Sequence, residues 1–277
     1  MKKKPSISHV TCLCIAVSCL AAGVGATQAE TFDCVITPAV TVRVGSPVSG
    51  LLAEVLVDQG DTLKAGQVIA RLRSEVEAKT VELLEIQARS KAEIEAQTSR
   101  LELAQKRLER ARDLAGRNVG TLEKLEAAEA EVDVITREHV IAEMRREVIG
   151  LELQRARAQL DQRVIRSPID GLVVIRHLYA GEFLGSEDSV VTVAQINPLH
   201  VEAFLPVTNY PLLSPGMTIQ VKPDAPVAGA FAAELQVIDR VFDAASGTFG
   251  IRLSLPNPDG SIPAGHRCQL ELTLNAP

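Results

Sequence analysis

Residues 74–161 constrain the fold most, because they contain two long stretches with heptad spacing on either side of a short break. No proline occurs between Pro47 and Pro168, so no residue in this region removes a helical hydrogen bond. Apolar or small residues recur at alternating intervals of three and four in both stretches. The break is the glycine-flanked segment 116–120. The sequence therefore predicts two long helices joined by a tight reversal.

Both stretches contain a set of positions, here called the seam, that we expect to face the other helix. In the first stretch the seam positions are Val76, Thr80, Leu83, Gln87, Ser90, Ile94, Gln97, Leu101, Ala104, Leu108, Ala111 and Ala115. In the second stretch they are Leu125, Ala128, Val132, Ile135, His139, Ala142, Arg146, Ile149, Leu153, Ala156 and Leu160. A seam that repeats over this length predicts a coiled coil.

One antiparallel register satisfies both stretches. The aliphatic pairs in this register are Val76 with Leu160, Leu83 with Leu153, Ile94 with Ala142, Leu101 with Ile135 and Leu108 with Ala128. The same register places His139 opposite Gln97 and Arg146 opposite Ser90. We therefore expect two polar layers, which fix the register at some cost in stability.

The predicted helix ends agree with this hairpin. Ser74 and Glu77 have the spacing of a capping box, which predicts that the first helix begins there. We expect Gly116 to close that helix in the left-handed conformation and Thr121 to cap the second helix. Each helix would extend about 60 Å, far beyond a usual globular helix. The hairpin is therefore expected to project from a domain and to pack against other copies or partners.

Two similar strand-rich segments flank the predicted hairpin. Residues 46–51 (SPVSGL) resemble residues 167–172 (SPIDGL), and a Gly-acid turn follows each of them, at 60–61 and at 181–182. An internal repeat of this kind predicts one small β-sandwich that is divided by the hairpin. Beyond the second segment, short alternating stretches separated by turn residues predict a small antiparallel β-barrel.

The predicted fold is therefore α+β, elongated and modular. Its parts are a split β-sandwich formed by residues 30–73 and 164–196, a coiled-coil hairpin over residues 74–163, and a β-barrel over residues 197–277. The first strand has two alternatives, since it can belong to the sandwich or complete the barrel.

The N-terminal residues 1–29 have the features of a cleavable export signal. Lysines at positions 2–4 precede the apolar segment 10–22, and small residues lead to a cleavage site after Ala29 or after Ala26. The apolar segment is short for a membrane span. The alternative is lipoprotein processing at Cys19, where the preceding residues loosely resemble a lipidation motif.

Cleavage of the leader would leave two cysteines, Cys34 and Cys268. In an oxidising compartment they either form a disulfide or remain two separate buried thiols. The sequence favours neither alternative.

The sequence contains no common catalytic or metal-binding motif. Its five histidines are scattered, and it has neither a phosphate-binding glycine loop nor a nucleophile elbow. A formal charge of −6 and the absence of aromatic residues between Phe32 and Tyr179 argue against nucleic-acid binding. We therefore expect a protein that is not an enzyme and that has no metal, cofactor or nucleic-acid partner.

Together these features resemble the periplasmic adaptor family, also called membrane fusion proteins, of tripartite efflux and secretion systems. The resemblance rests on the half-motifs at 44–72 and 164–196 and on barrel motifs between 237 and 265. It implies that the split sandwich is a lipoyl-like domain. It also implies a periplasmic ring of six copies that bridges an inner-membrane transporter and an outer-membrane channel. Because the sequence stops at Pro277, we expect no full membrane-proximal domain after the barrel.

The resemblance also implies a docking site at the hairpin tip. Family members that serve resistance-nodulation-division (RND) transporters carry an arginine, a leucine and a serine there, which contact the channel. Arg110 matches the arginine, Leu114 stands one residue before the leucine position, and Thr121 replaces the serine. The structural alternatives are a solvated arginine, a leucine that closes the seam and a helix cap.

Two other functions stay open at this stage. An adaptor of an ATP-driven (ABC-type) exporter or of a type I secretion system would have the same parts. A lipoyl or biotin carrier protein would share the half-motifs, but carriers present a lysine at the turn between the halves. Here the coiled coil begins at that point with Leu72-Arg73-Ser74.

Overall fold

The structure is a computed structural model that describes residues 29–273. The predicted leader, apart from Ala29, and the lipoprotein alternative at Cys19 lie outside the described residues.

The chain forms twelve β-strands and three long α-helices in the described part. The strands are β1 (Ala29–Val44), β2 (Gly50–Val55), β3 (Thr62–Leu63), β4 (Val68–Leu72), β5 (Val164–Arg166), β6 (Gly171–Arg176), β7 (Phe183–Leu184), β8 (Val191–Pro206), β9 (Thr218–Pro223), β10 (Phe231–Ile238), β11 (Thr248–Leu255) and β12 (His266–Thr273). The helices are α1 (Glu75–Arg89), α2 (Ala92–Gly116) and α3 (Leu122–Asp161), and a 3-10 helix covers Val207–Leu212.

The C-terminal strands form a closed barrel together with the first strand. Its strand order is β1-β12-β9-β10-β11-β8, and β8 pairs with β1 to close the ring. Alternate residues of each strand point inward, so that Val201, Ala203 and Leu205 of β8 are all buried. The buried residues of the barrel core are aliphatic apart from Phe249, Cys34 and Cys268.

The sandwich is built from both halves of the divided repeat. Strand β2 of the first half pairs with β7 of the second, β3 pairs with β6, and β4 pairs with β5. Its core contains fully buried aliphatic side chains from both halves, including Leu52, Leu63, Ile69, Leu72 and Leu184. Each half therefore completes the other, and the hairpin leaves the sandwich between β4 and β5.

Strand β1 belongs to both the barrel and the sandwich. Its residues 29–36 pair with β12, and its residues 40–44 pair with the start of β8. Strand β8 likewise pairs with β6 in the sandwich and with β11 in the barrel. Two paired strands therefore run through both units and connect them.

The first arm of the hairpin consists of two helices, so the prediction of one uninterrupted helix is wrong. Helix α1 ends at Arg89, and Ser90 has extended backbone angles with φ −67° and ψ 127°. The chain resumes as α2 at Ala92. The second arm, α3, is continuous.

The break shifts the seam of α1 by one residue. Its less exposed residues are Val81, Leu84 and Ala88, in place of the predicted Thr80, Leu83 and Gln87. The shifted positions are all apolar, whereas the predicted set would take two polar side chains out of water. Val76 and Leu83 are consequently exposed, and their predicted seam pairs do not form.

The predicted seam of α2 and α3 is confirmed in all positions but one. The buried or partly buried residues are Ile94, Gln97, Leu101, Ala104, Leu108, Ala111 and Ala115 on α2, and Leu125, Ala128, Val132, Ile135, His139, Ala142, Ile149, Leu153, Ala156 and Leu160 on α3. The exception is Arg146, which is exposed. Heptad spacing therefore identified the contact face of α2 and α3 correctly, but not that of α1.

The two predicted polar layers have different outcomes. His139 is partly buried, and its Nε2 lies 3.1 Å from Oγ1 of Thr98, the neighbour of the predicted partner Gln97. Arg146 and its predicted partner Ser90 are both exposed, and Ser90 lies in the break. A polar contact is therefore present at His139 and absent at Arg146 within the described hairpin.

The predicted capping box does not form at the start of α1. Ser74 occupies the N-cap position, but its side chain makes no capping hydrogen bond. The Glu77 carboxylate instead accepts a hydrogen bond from Arg163 Nη2 at 2.5 Å. Both groups of this bond are ionised, and hydrogen bonds between arginine and a carboxylate are among the strong ones in proteins. The two arms are thus joined by an ion pair where they leave the sandwich.

Candidate functional site

The hairpin tip is a short turn between α2 and α3. The N–H groups of Val119 and Gly120 both donate to the Leu114 carbonyl at 3.0 Å. Asn118 takes the left-handed conformation with φ 59°, so the prediction that Gly116 would do so is wrong. Asparagine visits this conformation more readily than most residues.

Gly120 allows the two arms to approach closely at the turn. A Cβ atom there would lie 3.1 Å from the Ala115 nitrogen and 3.3 Å from the Leu114 carbonyl carbon, which is tighter than ordinary contact. The following residue, Thr121, is therefore held beside the last turn of α2. The fold in this way brings Leu114 and Thr121 together at one end of the molecule.

Thr121 occupies the predicted N-cap position of α3. Its carbonyl accepts hydrogen bonds from the Lys124 N–H at 3.2 Å and from the Leu125 N–H at 3.4 Å, and the second is the bond that an N-cap carbonyl accepts in an α-helix. Its side chain makes no capping hydrogen bond and is exposed. The hydroxyl is therefore available to a partner molecule, and the helix start does not by itself account for it.

Arg110 lies one helical turn before Leu114, so the two side chains neighbour each other on the surface of α2. Arg107 pairs with Glu131 at 2.8 Å and Arg112 pairs with Glu129 at 3.1 Å. Arg110 has no such carboxylate partner in the described chain and is exposed. Its guanidinium therefore remains able to bind an external acceptor.

Three exposed aliphatic residues, here called the tip cluster, lie in the turn and at the helix ends beside it. It consists of Leu114, Val119 and Leu122, whose exposed fractions are 47%, 76% and 68%. Sequence analysis assigned no role to Val119 or Leu122, although aliphatic residues in a glycine-flanked turn were a visible signal. Adjacent exposed aliphatic side chains are typical of an interaction surface.

Ion pairs between the arms hold the tip in place. The Arg107–Glu131 and Arg112–Glu129 pairs join α2 to α3 close to the turn. Both pairs are exposed, so each contributes only about 0.2–1 kcal/mol. Their combined effect is to keep two long helices in one register beneath the tip cluster.

The second predicted site is the cysteine pair in the barrel. Cys34 on β1 and Cys268 on β12 are directly opposite each other in the strand register, and the structure joins their sulfurs in a disulfide. Both cysteines are buried in the barrel core. The bond links the first and last strands of the barrel.

Residues 29–273 provide neither a metal centre nor a membrane helix by the usual criteria. No group of three or more His, Cys, Asp or Glu side chains in this range is placed to hold a metal ion. None of its helices combines the length and the apolar character that crossing a bilayer requires.

Comparison with known proteins gives the family context of this geometry. Residues 40–195 match the model of the CzcB-like, barrel-sandwich hybrid domain. MacA from Actinobacillus actinomycetemcomitans superposes with a TM-score of 0.74 at 19% identity, over 88% of this chain and 78% of that chain. The membrane fusion protein Spr0693 from Streptococcus pneumoniae R6 superposes with a TM-score of 0.57 at 15% identity, over 89% of this chain and 100% of that chain.

A MacA-MexA chimeric protein, which contains the Pseudomonas aeruginosa MexA alpha-hairpin domain, has a TM-score of 0.54 at 15% identity. The match covers 89% of this chain and 81% of the chimera. At these identities the likeness shows a shared fold. The predicted fold class, a split sandwich with an inserted helical hairpin followed by a barrel, is confirmed.

Proposed function

Because this chain belongs to the CzcB-like barrel-sandwich hybrid family, and so to the membrane fusion proteins or periplasmic adaptors, we propose that it bridges two membrane partners of a tripartite efflux system. The inner-membrane partner in this proposal is an RND-type transporter, and the outer one is a channel protein. The chain itself acts as a mechanical adaptor, and the transporter supplies the energy for export.

The observation that carries the proposal is the exposed tip cluster at the end of a long two-helix arm. Leu114, Val119 and Leu122 present aliphatic surface where the arm ends. The exposed Arg110 guanidinium and Thr121 hydroxyl add directional hydrogen-bonding groups beside it. An apolar centre with polar groups at its edge is the usual composition of a protein-binding surface.

The connections within the chain suit a mechanical role. Strands β1 and β8 run through both barrel and sandwich, and the arm leaves the sandwich between the paired strands β4 and β5. The Glu77–Arg163 ion pair joins the two arms at this point. A displacement of the barrel by a transporter would therefore reach the arm through continuous hydrogen-bonded structure.

The proposal places the mature protein in the periplasm after removal of residues 1–29. Six copies would form a ring whose hairpins enclose a conduit, with the barrels towards the inner membrane. Such a ring keeps the exported molecule out of the periplasm, and it does so without binding that molecule specifically.

The test is site-specific crosslinking in cells that produce the full-length chain. A Thr121→Cys variant, treated with a short bifunctional thiol reagent, should capture an outer-membrane channel protein. A Ser99→Cys variant is the matched control, because Ser99 is also an exposed hydroxyl residue but lies on α2 far from the turn. Capture of inner-membrane proteins alone from Thr121→Cys would contradict the docking assignment.

The alternative is the same adaptor role in an ABC-type exporter or in a type I secretion system. Arg110 and Thr121 favour the RND class, although Leu114 is displaced by one residue from the RND pattern and Thr121 replaces its serine. Affinity purification of the tagged chain distinguishes these systems, because the co-purifying transporter either carries a nucleotide-binding domain or does not.

A further inference from the structure

The barrel presents an apolar patch at the end that lies away from the sandwich. Val207 and Leu212 belong to the 3-10 helix that follows β8, and Val241 and Phe242 lie in the loop between β10 and β11. All four side chains are exposed, and Val241, at 86%, is the most exposed large hydrophobic residue that the structure describes. These four residues are here called the barrel-end patch. Neighbouring exposed apolar side chains are typical of an interaction surface.

Residues 240–242 form a bulge in the β10–β11 hairpin. Before the bulge, the Asp239 N–H donates to the Gly250 carbonyl at 2.9 Å. After it, the Asp243 N–H donates to the Thr248 carbonyl, also at 2.9 Å. Three residues on this side therefore face a single residue of β11. Bulges redirect side chains, and this one turns its middle residue away from the barrel.

Three aromatic rings hold the bulge in place. The ring of Phe242 meets the ring of Tyr210 edge to face, with centroids 4.9 Å apart. Both rings lie against Phe249, which is buried in the barrel core. The outward position of Val241 is therefore fixed before any partner binds, which reduces the entropic cost of binding.

The N-terminal residues enter the barrel at the same end. The Glu30 carboxylate accepts a hydrogen bond from Asn209 Nδ2 of the 3-10 helix at 3.0 Å. The Val207 N–H of that helix donates to the Gly247 carbonyl of the β10–β11 loop at 3.1 Å. Ala29, the 3-10 helix and the loop therefore form one connected surface.

The proposed leader identifies a lipid bilayer as the occupant of this surface. Its apolar segment 10–22 ends seven residues before Ala29, and seven residues span at most about 25 Å. An export signal lies in the membrane until it is cleaved, so the barrel-end patch starts within this distance of the bilayer. The alternative, lipoprotein processing at Cys19, would keep it there permanently.

The shape and charge of the loop also suit lipid. Val241 projects from the surface, and a fluid bilayer accepts a projecting aliphatic side chain without a preformed pocket. The adjacent Arg240 is exposed and has no ion-pair partner among residues 29–273, so its long side chain is able to stay at the level of the headgroups. Asp239 and Asp243 flank it, and the loop is therefore not basic overall. Apolar insertion, and not attraction to anionic lipid, should dominate the contact.

We infer that the barrel-end patch inserts into the surface of a phospholipid bilayer, with Val241 among the acyl chains and Arg240 beside the headgroups. Because β1 and β8 run from this end to the sandwich, the contact orients the hairpin away from the membrane. A patch of this size binds lipid weakly, so it orients the chain and does not anchor it. The inference rests on the proposed function only for the identity of the membrane, which is the inner one.

A fluorescent label at Val241 tests the insertion directly. The full chain, purified as the cell processes it, is tethered through a C-terminal histidine tag to phosphatidylethanolamine–phosphatidylglycerol vesicles that contain a nickel-chelating lipid. The tag leaves from the patch end, because Thr273 is opposite Ala29 in the strand register. A polarity-sensitive fluorophore on Val241→Cys should shift its emission to shorter wavelength, and nitroxide lipids should quench it.

Val76 provides the matched control, since it is a valine of similar exposure, 77%, at the start of α1. The same fluorophore on Val76→Cys should neither shift nor be quenched. Cys34 and Cys268 are joined in a disulfide and do not compete for the label. Unchanged emission from Val241→Cys on these protein-free vesicles, or a shift only after a transporter is reconstituted into them, would overturn the inference.

Partition of the untethered chain onto the same lipids gives a second measurement. Val241→Asp should lower the partition coefficient about tenfold, because the aspartate replaces a buried aliphatic side chain. Val76→Asp should change it less than about twofold, and both variants should melt like the wild-type chain. Equal partition of the two variants, or loss of wild-type partition at high salt, contradicts apolar insertion.

The adaptor proposal is decided separately by capture of the channel protein from Thr121→Cys. Failure of the lipid contact together with successful capture removes only the inference. Insertion of Val241 without capture would retain the lipid contact and remove the docking assignment.

Discussion

The barrel and the hairpin cover their apolar side chains in opposite ways. The barrel closes on itself, and its inward-facing residues on β8, β11 and β12 are almost completely buried. The hairpin has two layers of helix. Between the sandwich and the helix break at Ser90, its buried residues are only Val81 and Ala156. Many of its aliphatic residues remain exposed along α3 and at the tip.

This difference shows where each unit obtains its stability. A closed barrel buries its apolar surface within one chain, so its core alone can keep it folded. A two-helix arm cannot enclose a comparable core and leaves surface for other molecules to cover. The barrel is therefore expected to respond strongly to internal substitutions, and the hairpin to respond more strongly to loss of its partners.

The largest test of this contrast is removal of the Cys34–Cys268 disulfide. The bond closes a sequence separation of 234 residues, so replacing both cysteines with alanine should lower the free energy of unfolding by about 4 kcal/mol. Urea unfolding, followed through the β-strand signal in circular dichroism, measures this loss. Alanine is preferred to serine because a hydroxyl in this buried position would add its own cost.

The helical signal at 222 nm serves as the internal control for the same variant. The disulfide lies in the barrel, so the hairpin transition should move less than the barrel transition. If both signals shift equally, the barrel and hairpin unfold as one cooperative unit, and the separation drawn between them is wrong.

A pair of leucine substitutions makes the same comparison within the two cores. Leu253 on β11 is 0% exposed, and Leu108 on α2 is 8% exposed. Leu253→Ala should cost about 3–4 kcal/mol, because the closed barrel cannot collapse around the cavity. Leu108→Ala should cost about 1–2 kcal/mol, because two helices can shift towards each other. Thermal unfolding of both variants measures the two losses in stability. Equal losses would refute the proposed difference in packing.

Sequence reasoning succeeded where one local rule determined the structure. Heptad spacing identified the seam of α2 and α3, including the partly buried His139. The repeat of SPVSGL at 46–51 and SPIDGL at 167–172 predicted that the two halves form one sandwich, and β2–β7 and β3–β6 pairing connects those halves. In both cases the signal repeats along the chain, so that single exceptions do not obscure it.

Prediction from the sequence failed where the structure depended on contacts between residues distant in sequence, or where two adjacent residues fitted the same pattern. Leu83 and Leu84 both fit a seam, and only packing against α3 selects Leu84. Glu77 fits a capping box, but its observed partner, Arg163, follows it by 86 residues in sequence, after the whole hairpin. The order of residues around Ser74 contains no information about that partner.

The Glu77–Arg163 pair gives a smaller test at the base of the arm. Both side chains are about one-quarter exposed, so Glu77→Gln should lower the free energy of unfolding by about 1 kcal/mol. The matched control is Glu82→Gln, which removes the carboxylate of the fully exposed pair with Lys79 and should have almost no effect. Helical circular dichroism during thermal unfolding measures both. A larger loss of stability from Glu82→Gln than from Glu77→Gln would mean that the Glu77–Arg163 pair does not stabilise the base of the arm.

The smallest expected effect is a pH dependence of the barrel. Burial, followed by the neighbouring Arg252 guanidinium, lowers the pKa of His200 on β8, while Glu202 opposes this shift. The unfolded chain therefore binds a proton at His200 at a higher pH than the folded barrel does. Barrel stability from this group is complete above about pH 6.5, the pKa of an unperturbed histidine, and decreases as the pH falls below it.

His200→Gln should reduce this decrease between pH 7.5 and pH 5.5, as measured by the barrel melting temperature. His177→Gln is the control, because His177 follows β6 in the sandwich rather than lying in the barrel. The difference between the two pH profiles isolates the contribution of His200. A steeper loss of stability in acid for His200→Gln than for the wild-type chain would mean that His200 is protonated more easily in the folded barrel, and that its burial there has the opposite effect.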